Sequence, residues 1–339
     1  MGRRRERTRS HRCVAVSDQL PGRSPDLGQR RLPGTGAGAG ESDGSGDALV
    51  DRVAFSGDRA VGVHVVGTGG RSIEYADEIA LCAGAIHSPT ILLRSGVGPA
   101  AQLNALGIDV RAELPVGQGL QDHPIALVTL ALTDDATVRT PDARHTNVCV
   151  RYTGGGADGN DMLLTSLNQN VLSMAGADAG SGAFGVWVNQ TYSRGAVTLS
   201  SADPTTQPDV AERMLSDDRD LSRLRDGVRT LIELAEHADT AAITAKPPAQ
   251  SNEALFAALD DDAALDAHLL ATAGDAQHGT STCRMGAPGD PDTVVDPSCR
   301  VLGLDNLRVI DASIFPAVPR ANTNLTAIMA GELMADRLD

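Results

Sequence analysis

The chain has 339 residues, which is long enough for two domains that each bury a hydrophobic core. Its 29 basic and 44 acidic residues give a formal net charge of −15, which argues against non-specific nucleic-acid binding, because that requires a basic face. Five scattered cysteines without CxxC or Cys/His spacing argue against a disulfide framework and a metal site, and favour a reducing cytoplasm. No apolar run approaches the roughly 20 residues of a membrane span. We therefore predict a cytoplasmic protein without a membrane-spanning segment.

Residues 1–46 differ in composition from the rest of the chain. They are rich in Arg, Gly, Pro, Ser and Asp, and show no hydrophobic periodicity. Such a composition does not bury enough apolar surface to offset chain entropy, so we expect disorder here. The glycine-rich run at 34–40 neither follows a strand nor precedes a helix, as a nucleotide-binding loop would. We interpret it as a chance match.

Residues 47–125 show alternating strand and helix signals. Strand-like runs at 50–55, 60–66 and 71–75 are separated by Gly-containing turns, which predicts a three-stranded β-meander. Residues 78–83 form a candidate buried strand. Ser88-Pro89 then predicts a helix N-cap and first helical position, and Gly96 predicts the C-cap.

The later elements are predicted by periodicity. Residues 126–200 consist mostly of short extended segments, with good strand candidates at 186–188 and 195–199. Leucines at helical spacing predict one amphipathic helix over 218–237, and a shorter helix is predicted at 253–259. The acidic run 260–262 is interpreted as a solvated loop or a cap. A strand at 307–310 and a final helix at 324–338 complete the chain.

Three stretches go beyond generic structure. They are GAIHSPTILLRSGVG at 84–98, VGQGLQDHP at 116–124, and a C-terminal block that begins with QHGTSTCRMG at 277–286 and includes LRVIDAS at 307–313 and NTNLT at 322–326. Together these elements resemble, in order and spacing, the signatures of the glucose–methanol–choline (GMC) oxidoreductases, and the resemblance covers about residues 47–339.

The resemblance implies an α/β FAD-binding domain, here incomplete, and an α+β substrate domain built on an antiparallel sheet. Residues 47–125 and 271–339 would belong to the first domain, and 126–270 to the second. The implied activity is oxidation of a small-molecule alcohol at its CH–OH group, as in choline dehydrogenases, with FAD as cofactor. The electron acceptor stays open between oxygen, a quinone and a redox peptide.

The family's catalytic pair maps onto His278 and Asn322. A flavin that oxidises an alcohol takes hydride at N5, so the protein must position the carbinol and accept the hydroxyl proton. Histidine suits the second task because its pKa lies near the working pH. Asn cannot act as a base, so His278 would take the proton and Asn322 would orient the substrate oxygen. His87 and His123 also lie in family motifs and are interpreted as structural.

Four residues are implied as cofactor contacts. The final helix would begin at about Asn322–Thr323, where free N–H groups and the helix dipole favour negative charge on the flavin N1/O2 edge. The resemblance assigns Asp311, Ala312 and Thr323 to the flavin, and the backbone of Val50 to the adenine.

The sequence also departs from the family pattern. The strand–GxGxxG–helix unit that holds the pyrophosphate is not found, so we expect a truncated or mis-started gene product. Gly119 stands where the VGxNLQDHP element has Asn. Two alternatives to an active oxidoreductase therefore remain: an inactive remnant that cannot hold FAD, and a hydroxynitrile lyase, which shares the fold without net oxidation.

Overall fold

The computed structural model describes residues 13–16, 44–140, 144, 146–155, 159–169 and 180–337. Fourteen strands are named here β1–β14 in chain order: Cys13–Val16, Ala48–Ser56, Arg59–Gly67, Gly70–Tyr75, Glu78–Leu81, Gln118–Leu120, Pro124–Ala131, Thr146–Tyr152, Met162–Leu167, Ser181–Val188, Gly195–Thr198, Asp209–Ala211, Gly274–Asp275 and Leu307–Val309. Seven α-helices, named α1–α7, span Gly84–Arg94, Ala100–Ala105, Asp218–Glu236, Ala238–Ala241, Glu253–Ala258, Asp262–Thr272 and Asn324–Ala335. Short 3-10 helices lie at Pro248–Gln250 and Ala312–Ile314.

Two small sheets and α1 form the first part of the fold. Strands β1, β5 and β14 form a parallel sheet with β5 in the centre, and β2–β3–β4 form the predicted antiparallel meander. β1 lies within the range 1–46, where the sequence predicts disorder; the other residues up to 43, including the glycine-rich run, lie outside the described part of the chain. The mixture of parallel and antiparallel sheets confirms the predicted fold class.

Helix α1 begins earlier than predicted. It starts at Gly84, so Ser88 and Pro89 lie inside it, and the expected cap at Ser88-Pro89 is wrong. A proline inside a helix cannot donate to the carbonyl four residues before it. Here the Thr282 hydroxyl donates to that carbonyl, Ala85 O, at 2.6 Å. The prediction failed because this partner lies 197 residues away in sequence.

The end of α1 agrees with the prediction. Gly96 follows the C-cap Ser95 with φ +82°, and Val97 N donates to Leu92 O at 3.0 Å while Gly96 N donates to Leu93 O at 3.0 Å. These two bonds define a Schellman motif, in which the glycine takes the left-handed conformation.

The second part of the fold is a five-stranded antiparallel sheet in the order β13-β7-β10-β9-β8. Side chains alternate between its faces. One face, with Val128, Met162 and Val186, packs on the predicted helix α3, and residues of α5 and α6 complete the same core. The opposite face carries Trp187 and Leu163, which lie directly across from each other in the ladder. This second face is the one that contacts the candidate site.

The described residues form two hydrophobic cores. One contains residues from the meander, α1, β5, β14 and α7, and the other joins the five-stranded sheet to α3, α5 and α6. The acidic run 260–262 provides the N-cap of α6, since Asp261 Oδ1 accepts from Ala263 N at 2.8 Å. Helix α6 itself was not predicted. Among the described residues, no helix combines the length and apolarity that crossing a membrane requires.

A buried ion-pair network fixes α3 to the sheet. Arg223 on α3 contacts Asp161 and Asp220, each at 2.6 Å, and all three side chains are almost fully buried. Asp220 also accepts from Tyr192 N and Ser193 N, so its carboxylate is well satisfied. Buried charges are tolerated when they are paired and hydrogen-bonded in this way.

Candidate active site

Two chain segments that are distant in sequence meet at the site. Gln121 N donates to Thr280 O at 3.2 Å, Thr280 N donates to Gln121 O at 3.0 Å, and Ala276 N donates to His123 O at 3.1 Å. This antiparallel pairing lies at the edge where β7 begins. It brings the ring of His123 beside the ring of His278, with centroids 5.1 Å apart.

The carboxylate of Asp122 holds the two histidine backbones in place. Its Oδ1 accepts from His123 N at 2.6 Å and from His278 N at 3.0 Å. Burial raises the pKa of Asp122 from 3.8 to about 6, against the effect of these backbone donors. Asp122 is therefore a positioning residue for both histidines.

Asp122 belongs to a cluster of three carboxylates. Asp122, Glu212 and Asp275 each place one oxygen within 4.8 Å of the others. Burial, followed by the charges of Asp275 and Asp122, raises the pKa of Glu212 to about 7. Two neighbouring carboxyls with raised pKa values take up protons near neutral pH, which relieves their mutual repulsion.

A chain of hydrogen bonds fixes the tautomer of His278. His123 Nε2 lies 3.0 Å from Pro319 O, and a carbonyl can only accept, so this nitrogen carries a proton. Burial and the neighbouring His278 lower the pKa of His123 to about 4, so its ring is neutral and Nδ1 bears a lone pair. His278 Nδ1, 3.0 Å away, must then donate to it.

The remaining nitrogen of His278 is therefore the basic one. Burial lowers the pKa of His278, so its ring is neutral too, and with Nδ1 protonated the lone pair lies on Nε2. Asn322 Nδ2 lies 3.2 Å from this Nε2 and donates to it. The structure thus brings together the two residues that the sequence pairs, and leaves His278 Nε2 as a proton acceptor.

Trp187 forms a wall of the site. Its ring lies 5.8 Å from that of His278 in an edge-on arrangement, and its Nε1 is buried without a hydrogen-bond partner among the described residues. The same side of the sheet is fixed to the loop before α7 by two donors to the carbonyl oxygen of Arg320. Arg151 donates to Arg320 O, and Asn189 Nδ2 donates to the same oxygen at 3.3 Å. This loop carries Asn322, so the sheet face lies next to both the loop and the histidine pair.

The expected cofactor residues lie in different environments. The carboxylate of Asp311 accepts from Gly84 N, Ser88 Oγ and Ser313 N, so its side chain fastens α1 and the following 3-10 helix. Only the backbone of Asp311 is thus left to contact a cofactor. Val50 lies in the hydrophobic core that the meander shares with α1, and its carbonyl oxygen accepts from Arg94 Nη2 at 3.5 Å.

The N-terminus of α7 fits an electron-rich ring edge. The helix begins at Asn324 after Thr323, and no side chain caps it. Its first-turn N–H groups have no partner within the helix and carry the positive end of the helix dipole. Thr323, the residue before the helix, is partly buried, and so is Ala312 in the preceding 3-10 helix. A helix start beside Asn322 is suited to the N1/O2 edge of a flavin.

Gly119 explains one departure from the family motif. It has φ +79°, and a Cβ atom there would meet only Ser281 O, at 3.9 Å. Glycine and asparagine are the residues that adopt this left-handed conformation most readily. Glycine and the family's asparagine can thus both adopt the backbone conformation of this position.

Sequence reasoning missed three residues of the site. Asp122 and His123 stand next to each other in the VGQGLQDHP element, but nothing in a local pattern indicates their contacts with His278, about 155 residues away. Trp187 is the chain's one tryptophan, placed in a strand with an apolar neighbour on each side, which by itself indicates only burial.

Comparison with known proteins identifies the relatives of this chain. Two family models described as GMC oxidoreductase match residues 45–125 and 191–331. A 5-(hydroxymethyl)furfural oxidase from Methylovorus sp. (strain MP688) is 39% identical over 277 residues, covering 78% of this chain and 51% of that protein. The mitochondrial choline dehydrogenase of Homo sapiens is 34% identical, covering 86% of this chain and 52% of the enzyme.

Solved structures agree with these relatives. The crystal structure of pyridoxine 4-oxidase from Mesorbium loti has a TM-score of 0.74 and 26% sequence identity, and the similarity covers 86% of this chain and 57% of that one. A formate oxidase at 23% identity, with a TM-score of 0.72, shares the fold. The chain spans about half the length of the curated relatives it matches.

Proposed function

Because this chain belongs to the GMC oxidoreductase family, we propose that it supplies the catalytic end of an FAD-dependent enzyme that oxidises a small-molecule alcohol to an aldehyde or ketone. The observation that carries the proposal is the neutral His278, whose Nε2 lone pair is fixed by His123 on one side and accompanied by Asn322 on the other. When bound, FAD accepts the hydride from the carbinol carbon.

The proton step falls to the histidine. The substrate hydroxyl would replace Asn322 Nδ2 as the donor to His278 Nε2 and pass its proton to that nitrogen, while Nδ2 would turn to donate to the substrate oxygen. The lowered pKa of His278 keeps the ring unprotonated at neutral pH, so no proton must leave before substrate binds. His123, held by Pro319 O, prevents the ring from adopting the wrong tautomer.

The substrate would lie between the histidine pair and the free face of the five-stranded sheet. Trp187 and Leu163 make that face apolar, and the ring of Trp187 lies edge-on to that of His278. We therefore favour an alcohol on a compact ring that packs on this apolar face. The relatives named for 5-(hydroxymethyl)furfural and pyridoxine act on such molecules, and choline is the contrasting test substrate.

The cofactor would meet the N-terminus of α7 and the preceding turn. Thr323 and the backbones of Asp311 and Ala312 would hold the flavin, with the first-turn N–H groups offsetting negative charge on the ring. Val50 would contact the adenine through its backbone. The uncapped first turn of α7 supports the assignment of these residues to the flavin. The assignment of Val50 to the adenine rests on family resemblance.

The test combines flavin binding with dye reduction. The purified chain is incubated with FAD, and bound flavin is measured by its absorbance near roughly 450 nm. Loaded protein then receives 5-(hydroxymethyl)furfural, pyridoxine or choline with an artificial electron acceptor, with and without oxygen. His278→Gln should bind FAD normally and lose at least about 10²-fold in rate; the control His268→Gln, on α6, should retain both.

Three results would contradict the proposal. Protein that retains no FAD under any loading condition would favour the inactive remnant. Consumption of a cyanohydrin without dye reduction would favour a lyase. A rate unaffected by His278→Gln would remove the histidine from the role of base while leaving the family intact.

A further inference from the structure

One row of side chains crosses the free face of the five-stranded sheet, from the candidate site to the edge of the sheet. Trp187 on β10 lies opposite Leu163 on β9, and Leu163 lies opposite Arg151 on β8. Residues paired across neighbouring antiparallel strands project to the same face, so these three side chains form one line, which we call the Arg151 row. The ring centroids of Trp187 and His278 are 5.8 Å apart, so the row begins at the proposed base.

The Arg151 row changes from apolar to positively charged along its length. Trp187 and Leu163 offer apolar surface, whereas the guanidinium of Arg151 is always charged. Neighbouring strands lie about 4.8 Å apart, so the backbone of Arg151, two strands from that of Trp187, is displaced from it by about 10 Å. A compact ring that packs on Trp187 and Leu163 therefore directs its far side towards Arg151.

The guanidinium of Arg151 is held next to the site but is not neutralised there. Its Nη2 donates to Arg320 O, so the group lies beside the loop that carries Asn322. Among the described residues this is the one hydrogen bond of Arg151, and no carboxylate pairs with it. Its Nε and Nη1 are therefore left for a ligand, and an arginine fork matches the geometry of a carboxylate.

The distribution of charge across the sheet favours one orientation of such a ligand. Strand β8 is one edge of the sheet and β13 is the other. Asp275 on β13 belongs to the cluster with Asp122 and Glu212, and Asp122 accepts from His278 N. An anionic group on the substrate is disfavoured beside this acidic cluster and attracted to Arg151 at the opposite edge. The hydroxyl end of the molecule is then left to face His278.

We infer that Arg151 binds a carboxylate on the side of the substrate ring away from the carbinol, so the preferred substrates are carboxylated ring alcohols. The inference rests on the proposed function, because it concerns the far end of the molecule whose hydroxyl gives its proton to His278. The carboxylate takes no part in the bond changes. Arg151 therefore contributes the same binding energy before and during the reaction, and its effect should lie in KM rather than in kcat.

Two substrates that differ in charge test the inference. The benzyl alcohols 4-(hydroxymethyl)benzoate and 4-(hydroxymethyl)benzamide have nearly the same shape, and only the first is anionic. The full chain, loaded with FAD, is assayed with each by dye reduction. We expect kcat/KM to be at least about tenfold higher for the benzoate, through a lower KM.

Substitutions at Arg151 assign this preference to its charge. Arg151→Gln should abolish the preference for the benzoate, and Arg151→Glu should reverse it. Loss of the hydrogen bond to Arg320 O would affect both substrates, so the ratio of the two kcat/KM values isolates the charge. Arg300→Gln is the matched control, because Arg300 is an arginine with a 62% exposed side chain next to Cys299 of the first core. It should retain the wild-type ratio.

The fluorescence of Trp187 provides a measurement that needs no turnover. Trp187 is the chain's one tryptophan, so its emission reports a ligand on this face of the sheet. The benzoate should change the emission at a concentration at least about tenfold lower than the benzamide, with or without FAD. Arg151→Gln should remove this difference, and far-UV circular dichroism checks that the variant is folded.

The inference and the proposed function fail in different ways. Oxidation of both compounds with equal kcat/KM, or a preference for the benzoate that Arg151→Gln retains, overturns the inference and leaves the proposed function standing. A benzoate-selective change in Trp187 emission, without oxidation of any alcohol by the FAD-loaded protein, contradicts the proposed function and leaves the carboxylate site standing. The absence of both oxidation and a benzoate-selective change contradicts both.

Discussion

Replacing Asp122 by Asn should flatten the pH dependence of stability. The asparagine Oδ1 can still accept from His123 N and His278 N, so both backbone hydrogen bonds are retained while the titrating carboxyl group is removed. The pKa of Asp122 rises from 3.8 in the unfolded chain to about 6 in the fold, mainly through burial. A tenfold change in a proton equilibrium is worth about 1.4 kcal/mol, so this rise corresponds to about 3 kcal/mol.

The sign follows from linkage. A carboxyl whose pKa is raised on folding binds a proton more tightly in the folded state, so its stabilising contribution is complete below about pH 4. It is lost as the pH rises through about 6. Between pH 4 and 7 the wild-type protein should therefore lose up to about 3 kcal/mol more than Asp122→Asn.

Urea unfolding at pH 4.5 and pH 7.5 measures this difference. The charge of Asp122 is one cause of the raised pKa of Glu212, so the effect of Asp122 alone is isolated by comparing Glu212→Gln with the double variant Asp122→Asn/Glu212→Gln. Asp260→Asn, an exposed substitution in the loop before α6, changes the formal charge equally and should behave as wild type. Equal pH dependence in wild type and Asp122→Asn would refute the reasoning.

Three further substitutions test the fold around the site, each by urea unfolding. Thr282→Val removes the hydroxyl that satisfies Ala85 O and should cost about 1–3 kcal/mol; an unchanged stability would mean that water replaces it. Arg223→Met leaves the buried Asp161 carboxylate unpaired and should cost about 3–5 kcal/mol, so a loss below about 1 kcal/mol would contradict the network. Gly119→Asn should change stability by less than about 1 kcal/mol, because asparagine tolerates the positive φ; a larger loss would show an unrecognised contact.

Local signals in the sequence predict much of the secondary structure. Leucine spacing predicts α3 at 218–237, and the helix spans Asp218–Glu236. The Gly-containing turns predict the β2–β3–β4 meander, because turn chemistry acts within a few residues. The predicted start of α1 is wrong because it depends on a residue that is distant in sequence. The carbonyl that Pro89 leaves without its helical donor is satisfied by Thr282, which lies in a distant segment of the chain.

The residues of the site likewise differ in whether the sequence could predict their role. Resemblance alone was enough to pair His278 with Asn322, and their nitrogens lie 3.2 Å apart. His123 looks structural in its motif because its neighbours in sequence do not include its partner. Only the pairing of the 121–123 segment with 276–280 reveals that it sets the tautomer of His278.

The two halves of the proposed chemistry differ in how complete they are within this chain. The proton side is fully assembled: His278 has its tautomer set by His123, its backbone held by Asp122, and its Nε2 accompanied by Asn322. For the hydride transfer, this chain supplies the first turn of α7 as the proposed flavin contact. The N–H groups of that turn are uncapped, and the apolar face of the helix is exposed. Preorganised groups need no rearrangement at the moment of reaction, so the histidine pair should persist whether or not a flavin is bound. Cofactor affinity should instead depend on the uncapped start of α7, and changes at Thr323 should alter flavin binding without altering the His278 tautomer.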